Sequence, residues 1–325
     1  MSELSNVKIT SSPHLRSSHT TQDIMLLVTV ALLPAAGFGV YNFGLDALIV
    51  LLLTVASCVI SEYAFAKITK RKVTVSDFSA VVTGLLLGMN LPSTVPFWLP
   101  IIGGMFAIFV VKMIFGGIGQ NFVNPALGAR CFLIISFSGM MNNFVTDTYT
   151  TATPLSLLKE AQKVGDVGSA LKDLDIMSMV IGRTPGVIGE TSMIAIIIGA
   201  AILVATGVID LKIPATYIIT FVVFLLVFGP SRTPAYIAAQ LAGGGLMLGA
   251  FFMATDYTTC PITPTGKYVY GIFIGVLTGV FRIYGSPEGV SFAIILGNIV
   301  VPLIERFTRP LAFGIVKEKK KAKEA

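Results

Sequence analysis

The sequence of 325 residues has few charged side chains, since Asp, Glu, Lys and Arg together make up only 12% of it. Soluble globular proteins carry about 25% charged residues. Hydrophobic residues account for 54% of the chain, and 32 glycines are spread through the apolar runs. Because glycine lets membrane helices approach each other closely, this composition excludes an ordinary soluble domain and predicts an all-α polytopic membrane protein.

Side chains that bind metals are also scarce. The chain has two histidines and three widely separated cysteines, Cys58, Cys131 and Cys260. A zinc or iron–sulfur cage within one chain needs four ligands at suitable spacing, so we expect no metal site here. The glycine-rich run GGIGQN at 116–121 follows no predicted strand, and a dinucleotide-binding loop requires a strand before it. The sequence therefore predicts no nucleotide-binding fold.

Positive charge is concentrated at the C-terminus, where seven of the 23 Lys and Arg residues lie within the last 20 positions. Basic clusters next to a membrane helix are typical of the cytoplasmic side, where they contact anionic lipid. We therefore interpret the tail as a contact with membrane lipid and predict no binding to nucleic acid. The N-terminus is polar for more than 20 residues, unlike a secretory signal, so the first apolar run is expected to be a retained span.

Ten apolar segments approach the roughly 20 residues that a membrane helix needs. The basic loops and the basic tail fall on one side by parity, which predicts that both termini are cytoplasmic. Each half has a glycine-rich span, a polar break and a further glycine-rich span, and five spans per half predict two inverted repeats. The predicted spans are 24–41, 44–66, 78–94, 97–116, 122–140, 191–208, 213–230, 234–253, 267–284 and 290–306.

These spans divide the chain into five regions. A cytoplasmic N-terminal segment at 1–23 precedes the first five-helix membrane half at 24–140. A loop at 141–190 separates it from the second half at 191–306, and a basic cytoplasmic tail follows at 307–325. Because five spans precede the loop, it is predicted to lie outside the cytoplasm.

The hydroxyl-rich stretch TDTYTTATPL at 146–155 opens that loop. In the structural interpretation, these residues form an exposed loop with turns, and a helix then begins. Thr153 would be the N-cap of this helix, and Pro154 would occupy its first position. Threonine is common in exposed loops, so composition alone favours this structural interpretation.

The same stretch resembles the flavinylation motif Ser/Thr–Gly/Ser/Thr–Ala–Thr followed by Pro-Leu. Four further segments resemble the RnfD protein of the Rnf complex, the ion-translocating ferredoxin:NAD oxidoreductase. They are SSPHLRSSHTTQDIMLLVTVALLPA at 11–35, NFVNPALGARCFL at 121–133, MATDYTTCPITPTGKYVYG at 253–271 and YGSPEGVSFAIILGNIVVPLIE at 284–305. The related NqrB protein of the sodium-pumping NADH:quinone reductase is similar. The resemblance covers nearly the whole chain.

This resemblance implies that Thr153 carries a covalent FMN through its oxygen, with Thr150, Thr151 and Ala152 as the recognition motif. Position 151 is often Gly or Ser in relatives, and Thr here is the one departure. The resemblance also implies a flavin transferase that acts outside the cytoplasm, and other Rnf-type membrane, flavin and iron–sulfur subunits as partners. A non-covalent riboflavin is suggested as a second flavin.

The implied function is electron relay through flavin, within a complex that couples ferredoxin oxidation and NAD reduction to Na⁺ or H⁺ movement. The chain would be one subunit of this translocating oxidoreductase in a prokaryotic cytoplasmic (inner) membrane, and not a complete enzyme alone. Two other functions are compatible with the spans. A solute channel or transporter of the inverted-repeat type would not need the TTATPL motif, and a structural scaffold would tolerate Thr153→Val.

Charged residues inside apolar runs are further candidates. Arg130 is interpreted either as facing the bundle interior, near flavin or a buried acid, or as snorkelling to the interface. For Lys112, near the end of its span, snorkelling is a sufficient explanation. The acids Asp23, Glu62 and Asp256 lie at span ends, and they are either capping or interfacial groups or ligands on an ion path.

Overall fold

The computed structural model describes residues 20–146, 149–150, 153–190, 192–285 and 289–310. Its first half contains α1 (Thr21–Ile68), α2 (Ser79–Met89), α3 (Trp98–Met105), α4 (Pro125–Ser136) and α5 (Ser138–Met141). A short hairpin of β1 (Val145–Thr146) and β2 (Tyr149–Thr150) follows. The loop then forms α6 (Pro154–Val164), α7 (Val167–Asp173) and α8 (Ile176–Ile181). The second half contains α9 (Met193–Ala205), α10 (Lys212–Phe228), α11 (Pro234–Ala242), α12 (Leu246–Leu248), α13 (Pro264–Tyr284) and α14 (Gly289–Thr308).

Two helices change their winding along their length. The helix α3 continues as a π-helix over Phe106–Met113, and α12 continues as a π-helix over Gly249–Met253. A π-helix forms i→i+5 hydrogen bonds and occurs frequently at functional sites. Both π segments contribute residues to the sites described below.

Three helices of the described chain are long and apolar enough to cross a membrane, namely α1, α13 and α14. The pair formed by α11 and α12 with its π segment is bent by 63° and would count as a fourth. Further apolar helices of 10–17 residues include α2, α4, α9 and α10. These lengths and compositions are those of a helical membrane protein.

The first helix is two helices joined at a break. Its 48 residues would extend about 72 Å as one rod, more than twice the roughly 30 Å of a hydrocarbon core. Gly44 interrupts it with φ 72° and ψ −152°, a conformation that only glycine adopts readily. The break separates two arms that correspond to the first two predicted spans.

Each of the ten predicted spans contains helix, but several are shorter than expected. The third predicted span, 78–94, is helical only as α2, which has 11 residues and a length of about 16 Å. The helix ends at Met89 with Asn90 as its C-cap, and Pro92 follows two residues later, as is common after a helix C-terminus. The described helices therefore do not by themselves establish ten membrane crossings or an inverted repeat.

Close packing between helices depends on glycine in both halves. A Cβ atom at Gly84 of α2 would lie 2.6 Å from Val55 Cα of α1. One at Gly275 of α13 would lie 2.8 Å from Thr220 Cβ of α10. Small residues at such contacts allow the backbones to approach, which is how membrane helices associate.

Much of the region 141–190, predicted as a loop, forms short helices. Asp166 and Asp175 cap α7 and α8 through their side chains. At its end, Ile188 N donates to Leu91 O at 3.1 Å and Gly189 N donates to Met89 O at 2.7 Å. These bonds attach the end of the loop to the C-terminus of α2 and fix the position of the residue that follows, Glu190.

Candidate functional site

Thr153 begins α6 as the local sequence predicts. Its backbone is extended (φ −64°, ψ 150°), Pro154 occupies the first helical turn, and Thr153 Oγ1 accepts a hydrogen bond from Ser156 N at 3.3 Å. Ser156 Oγ in turn donates to Thr153 O at 2.7 Å. The predicted N-cap is confirmed, and the threonine side chain remains partly exposed.

The side chain of Thr153 lines a cavity of about 500 Å³, its mouth included, which we call the threonine cavity. The cavity lies between the start of α6, the end of the loop and the end of α11. Its other walls include Leu155, Thr184, Glu190, Gly243 and Gly244.

Three successive glycines after α11 bring the backbone close to two charged side chains. Gly244 and Gly245 have φ values of 67° and 65°, which favour glycine. A Cβ atom at Gly244 would lie 2.8 Å from Arg282 Nη2, and one at Gly245 would overlap the Glu190 carboxylate. The glycine run therefore gives the cavity a wall of backbone, with Arg282 behind it and Glu190 beside it.

Arg282 of α13 is buried and holds this wall in place. Its Nη2 donates to Gly243 O at 2.9 Å and to Gly244 O at 3.0 Å. Its Nη1 donates to Gln240 O, and its guanidinium lies 5.2 Å from the centre of the Phe221 ring. Sequence analysis missed this residue, although an arginine within the apolar run GVFRIYG is the same signal that identified Arg130.

Arg130 of α4 faces the interior of the bundle and is 3% exposed. Its Nη1 donates to Asn90 Oδ1 at 2.5 Å, and its Nη2 lies 3.2 Å from Glu190 Oε1. Glu190 lines the threonine cavity, so Arg130 is connected to that cavity through one acid, whose side chain is 10% exposed. Sequence analysis also missed Glu190, because an acid at the end of a loop carries no distinctive local signal.

The remaining members of the flavinylation motif are only partly described. Thr150 is in β2, and its backbone pairs with Val145. Thr151 and Ala152 lie outside the described residues.

A second cavity, the asparagine cavity, encloses about 780 Å³ with its mouth included. Its walls are mostly apolar and include residues of α1, α2 and the π segment after α12. The polar groups that face it include Thr83, Lys112, Asn121, Asn124 and Asp256. An apolar pocket with a few convergent polar groups is the usual form of a small-molecule site.

Asp256 and Asn124 are held in place beside this cavity. Asp256 Oδ2 accepts from Thr259 Oγ1 at 3.2 Å. Asn124 caps α4 by accepting from Ala126 N at 3.0 Å, and Pro125 follows it in the first turn. Asp256, a candidate for the ion path, thus lies in a cavity wall.

Glu62 and Lys112 form a buried ion pair next to the asparagine cavity. Lys112 Nζ lies 2.6 Å from Glu62 Oε2 and 2.6 Å from Ser79 Oγ. Thr74 Oγ1 donates to the other carboxylate oxygen of Glu62 at 2.6 Å. The interpretation of Lys112 as a snorkelling residue is wrong, because its side chain is 3% exposed and its charge is paired inside the bundle.

Asp23 lies at the start of α1, where it forms a capping box with Thr20. Thr20 N donates to Asp23 Oδ2 at 2.9 Å, and Asp23 N donates to Thr20 Oγ1 at 3.2 Å. Asp23 thus lies at a helix start, Glu62 lies in an ion pair, and Asp256 lies in a cavity wall. Within the described ranges, no group of three or more His, Cys, Asp or Glu side chains is arranged to hold a metal ion.

Comparisons with known proteins cover nearly the whole chain. The model of the NQR2, RnfD, RnfE family matches residues 8–314. The chain is 46% identical to the D component of the Na⁺-translocating ferredoxin:NAD⁺ oxidoreductase complex of Acetobacterium woodii, over 99% of this chain and 100% of that protein. It is 38% identical to the D component of the proton-translocating ferredoxin:NAD⁺ oxidoreductase complex of Clostridium ljungdahlii, over 94% and 96% of the two chains.

A more distant relative is the D component of the ion-translocating oxidoreductase complex of Vibrio cholerae, which is 34% identical over 94% of this chain and 99% of its own length. Both the family match and the extent of these similarities far exceed what a shared motif would produce. The chain belongs to the NQR2, RnfD, RnfE family.

Proposed function

We propose that this chain is the RnfD-type component of a membrane complex that couples electron transfer between ferredoxin and NAD⁺ to ion translocation. The similarity to components of two ferredoxin:NAD⁺ oxidoreductases over at least 94% of the chain supports this function. One of these relatives is named for Na⁺ and the other for protons. No observation favours the alternative of a non-redox channel.

Within this complex, the chain carries FMN on Thr153. The observation that carries the assignment is that the hydroxyl of the TTAT motif lines a cavity together with Glu190 and the backbone of Gly243 and Gly244. Two other helices also begin with a Thr-Pro cap, at Thr233 and Thr263. Thr233 is exposed, and Thr263 Oγ1 is 2.7 Å from Thr308 Oγ1. A Thr-Pro helix start alone is therefore a structural feature, and the cavity distinguishes Thr153.

The residues around Thr153 fit a flavin phosphate and its ring. The amides at the start of α6 and the positive end of its dipole favour an anionic phosphodiester. The backbone wall at Gly243 and Gly244 would let a planar ring approach closely, with Arg282 fixing that wall. A bound flavin supplies one- and two-electron redox chemistry, and the protein supplies its binding, orientation and electrostatics.

The asparagine cavity is the best place for the second, non-covalent flavin. Riboflavin lacks a phosphate, and the cavity combines apolar walls with the amides of Asn121 and Asn124 as hydrogen-bonding groups. Electron relay would then use two flavins, one bonded to Thr153 and one in this cavity.

The same proposal includes the membrane arrangement. The chain crosses a prokaryotic inner membrane ten times as two inverted halves, with both termini in the cytoplasm and Thr153 outside. The short helices α2 and α4 would be completed by the non-helical residues next to them, which is tolerated in a membrane where the backbone is buried in protein. A flavin transferase outside the cytoplasm would then have access to Thr153.

The test is the intact mass of the full-length chain purified from cells that contain the transferase. We expect a mass increased by one FMN phosphodiester in the native chain and in Thr233→Val. In Thr153→Val we expect the unmodified mass and no flavin fluorescence from the denatured gel band. Thr233→Val is the matched control, because it removes the same type of helix cap, at a cost of about 0.5–2 kcal/mol. A native chain of unmodified mass would contradict the flavin assignment.

A further inference from the structure

Ser156, in the first turn of α6, contacts the threonine to which FMN is proposed to attach. Thr153 Oγ1 donates to Ser156 Oγ at 3.1 Å and accepts from Ser156 N at 3.3 Å. Ser156 Oγ in turn donates to Thr153 O at 2.7 Å. One serine therefore holds both the hydroxyl group and the carbonyl group of Thr153.

These bonds restrict the directions in which the threonine hydroxyl can react. A hydroxyl group has one proton to donate and two lone pairs that can accept. The proton of Thr153 is directed at Ser156 Oγ, and one lone pair accepts from Ser156 N. The second lone pair of Thr153 Oγ1 is the one that remains for a bond to an incoming phosphorus atom.

The other two described Thr-Pro helix starts keep the backbone bond but lack the serine. Tyr236 N donates to Thr233 Oγ1 at 3.4 Å, and Gly266 N donates to Thr263 Oγ1 at 3.1 Å. The backbone bond is thus common to this type of cap. Of the three described starts, α6 alone has serine at the third helical position, and this serine supplies the additional side-chain bonds.

A serine at the third helical position also has an ordinary structural use, which α7 illustrates. Ser169 N donates to Asp166 Oδ1, and Ser169 Oγ donates to Asp166 O, both at 3.2 Å. These two bonds stabilise a helix start that carries no reactive hydroxyl group. The bond from Thr153 Oγ1 to Ser156 Oγ is the one that α6 has in addition.

Attachment of FMN replaces the proton of the threonine hydroxyl by phosphorus. The donor is a flavin dinucleotide, FAD, whose pyrophosphate is an activated phosphate. An Oγ1–P bond forms, the P–O bond to the AMP half breaks, and AMP leaves with the electron pair. The hydroxyl proton passes to water, and nothing is oxidised or reduced. A nucleophile held in the correct orientation reacts faster, so the direction of the free lone pair affects the rate.

We propose that Ser156 is a positioning residue for this reaction and that it orients the Thr153 hydroxyl toward the phosphorus of the donor. The inference rests on the proposed attachment of FMN to Thr153. Ser156 acts through Thr153, because it directs the proton of the hydroxyl to its own side chain and leaves one lone pair for the donor.

The test is the initial rate of flavin attachment to the full-length chain, purified in detergent from cells without the transferase. The chain is mixed with purified transferase, FAD and Mg²⁺, and covalent flavin is measured by gel fluorescence and intact mass. We expect Ser156→Ala to lower the maximal rate about three- to tenfold, as for the loss of one hydrogen bond. The chain concentration that gives half of this rate should not change. Ser156→Thr should retain the native rate, because threonine keeps the hydroxyl.

Ser169→Ala is the matched control, because it removes the same type of side-chain bond from the start of the neighbouring helix. It should be modified at the native rate, and its melting midpoint should match that of Ser156→Ala. An unchanged rate in Ser156→Ala would overturn the proposal, as would an equal loss of rate in Ser169→Ala or in Ser156→Thr. A native chain that accepts no flavin would contradict the attachment to Thr153 itself, and this role of Ser156 with it, so the two failures give different results.

Discussion

At the scale of single residues, the interior charges are held by specific partners from distant parts of the chain. Arg130 contacts Glu190, which is 60 positions away, and Lys112 contacts Glu62, which is 50 positions away. Polar and charged groups inside a membrane protein usually face the bundle interior and mark functional regions. Here the two pairs lie beside the two cavities proposed to hold flavin, Arg130 with Glu190 at one and Lys112 with Glu62 at the other.

The Glu62–Lys112 pair gives a prediction about stability. Removing one member of a buried pair leaves an unpaired charge, which typically costs about 3–5 kcal/mol. We expect Lys112→Met to lower the melting midpoint of the purified chain strongly. Adding Glu62→Gln to that variant should restore most of the loss, because the buried carboxylate is then neutral.

The exposed pair of Lys212 and Asp210 is the control for this experiment. Its atoms are also 2.6 Å apart, but the side chains are 36% and 40% exposed. Exposed ion pairs contribute little to stability because solvent screens them, so Asp210→Asn should change the midpoint little. Additive effects of Lys112→Met and Glu62→Gln would contradict the paired arrangement.

Residue patterns predicted local features well and distant contacts poorly. The helix start at Thr153 was predictable because an N-cap followed by proline is a signal within two residues. The burial of Lys112 was not, because its partner Glu62 comes from another helix and no spacing rule connects them. Glu190 escaped prediction for the same reason, because its significance depends on the glycine run at 243–245, which the fold brings beside it. Arg282 was overlooked although it carries the same local signal as Arg130, an arginine within an apolar run.

At the scale of helices, the close contacts between α1 and α2 and between α10 and α13 use glycine in each half. This similarity is what two related halves would produce, although the repeat itself stays a prediction. Sequence analysis identified the glycine-rich spans correctly as helical segments. It overestimated the length of α2 because the predicted span continues to residue 94, whereas the helix ends at Met89.

Replacement of one packing glycine gives a prediction at this scale. A Cβ atom at Gly84 would meet the backbone of Val55 at 2.6 Å, so the two helices would have to separate. Such overpacking costs about 1–3 kcal/mol. We expect Gly84→Ala to lower the melting midpoint of the purified chain.

Gly37 is the matched control, because it also lies within a helix. A Cβ atom there would meet no atom within 4 Å, and alanine favours a helix over glycine by about 1 kcal/mol. Gly37→Ala should therefore leave the midpoint unchanged or raise it. A lower midpoint in both variants would show that helix packing at Gly84 is not the cause.

At the scale of the whole molecule, the orientation of the chain in the membrane decides which partners reach each cavity. In the proposed arrangement, the region 141–190 lies outside and the turn after α1 lies in the cytoplasm. The three native cysteines are buried, so introduced cysteines can report on accessibility with little background.

We predict that a membrane-impermeant maleimide labels Ser169→Cys in intact cells and labels Lys70→Cys only after permeabilisation. Both positions are exposed in the structure, Ser169 in α7 and Lys70 just after α1. Equal labelling of the two variants in intact cells would contradict the arrangement, whereas the opposite pattern would invert it.

The winding of α3 has a consequence for the charge inside the molecule. Lys112 lies near the end of the π segment Phe106–Met113, and each i→i+5 bond encloses one residue more than the corresponding bond of an α-helix. The direction in which Lys112 points therefore depends on this wide winding as well as on its position in the sequence. If the same residues were wound as a regular helix, the ammonium group would turn away from Glu62 and leave the carboxylate unpaired. Whether the charges next to the asparagine cavity are paired thus depends on the backbone winding of one helix.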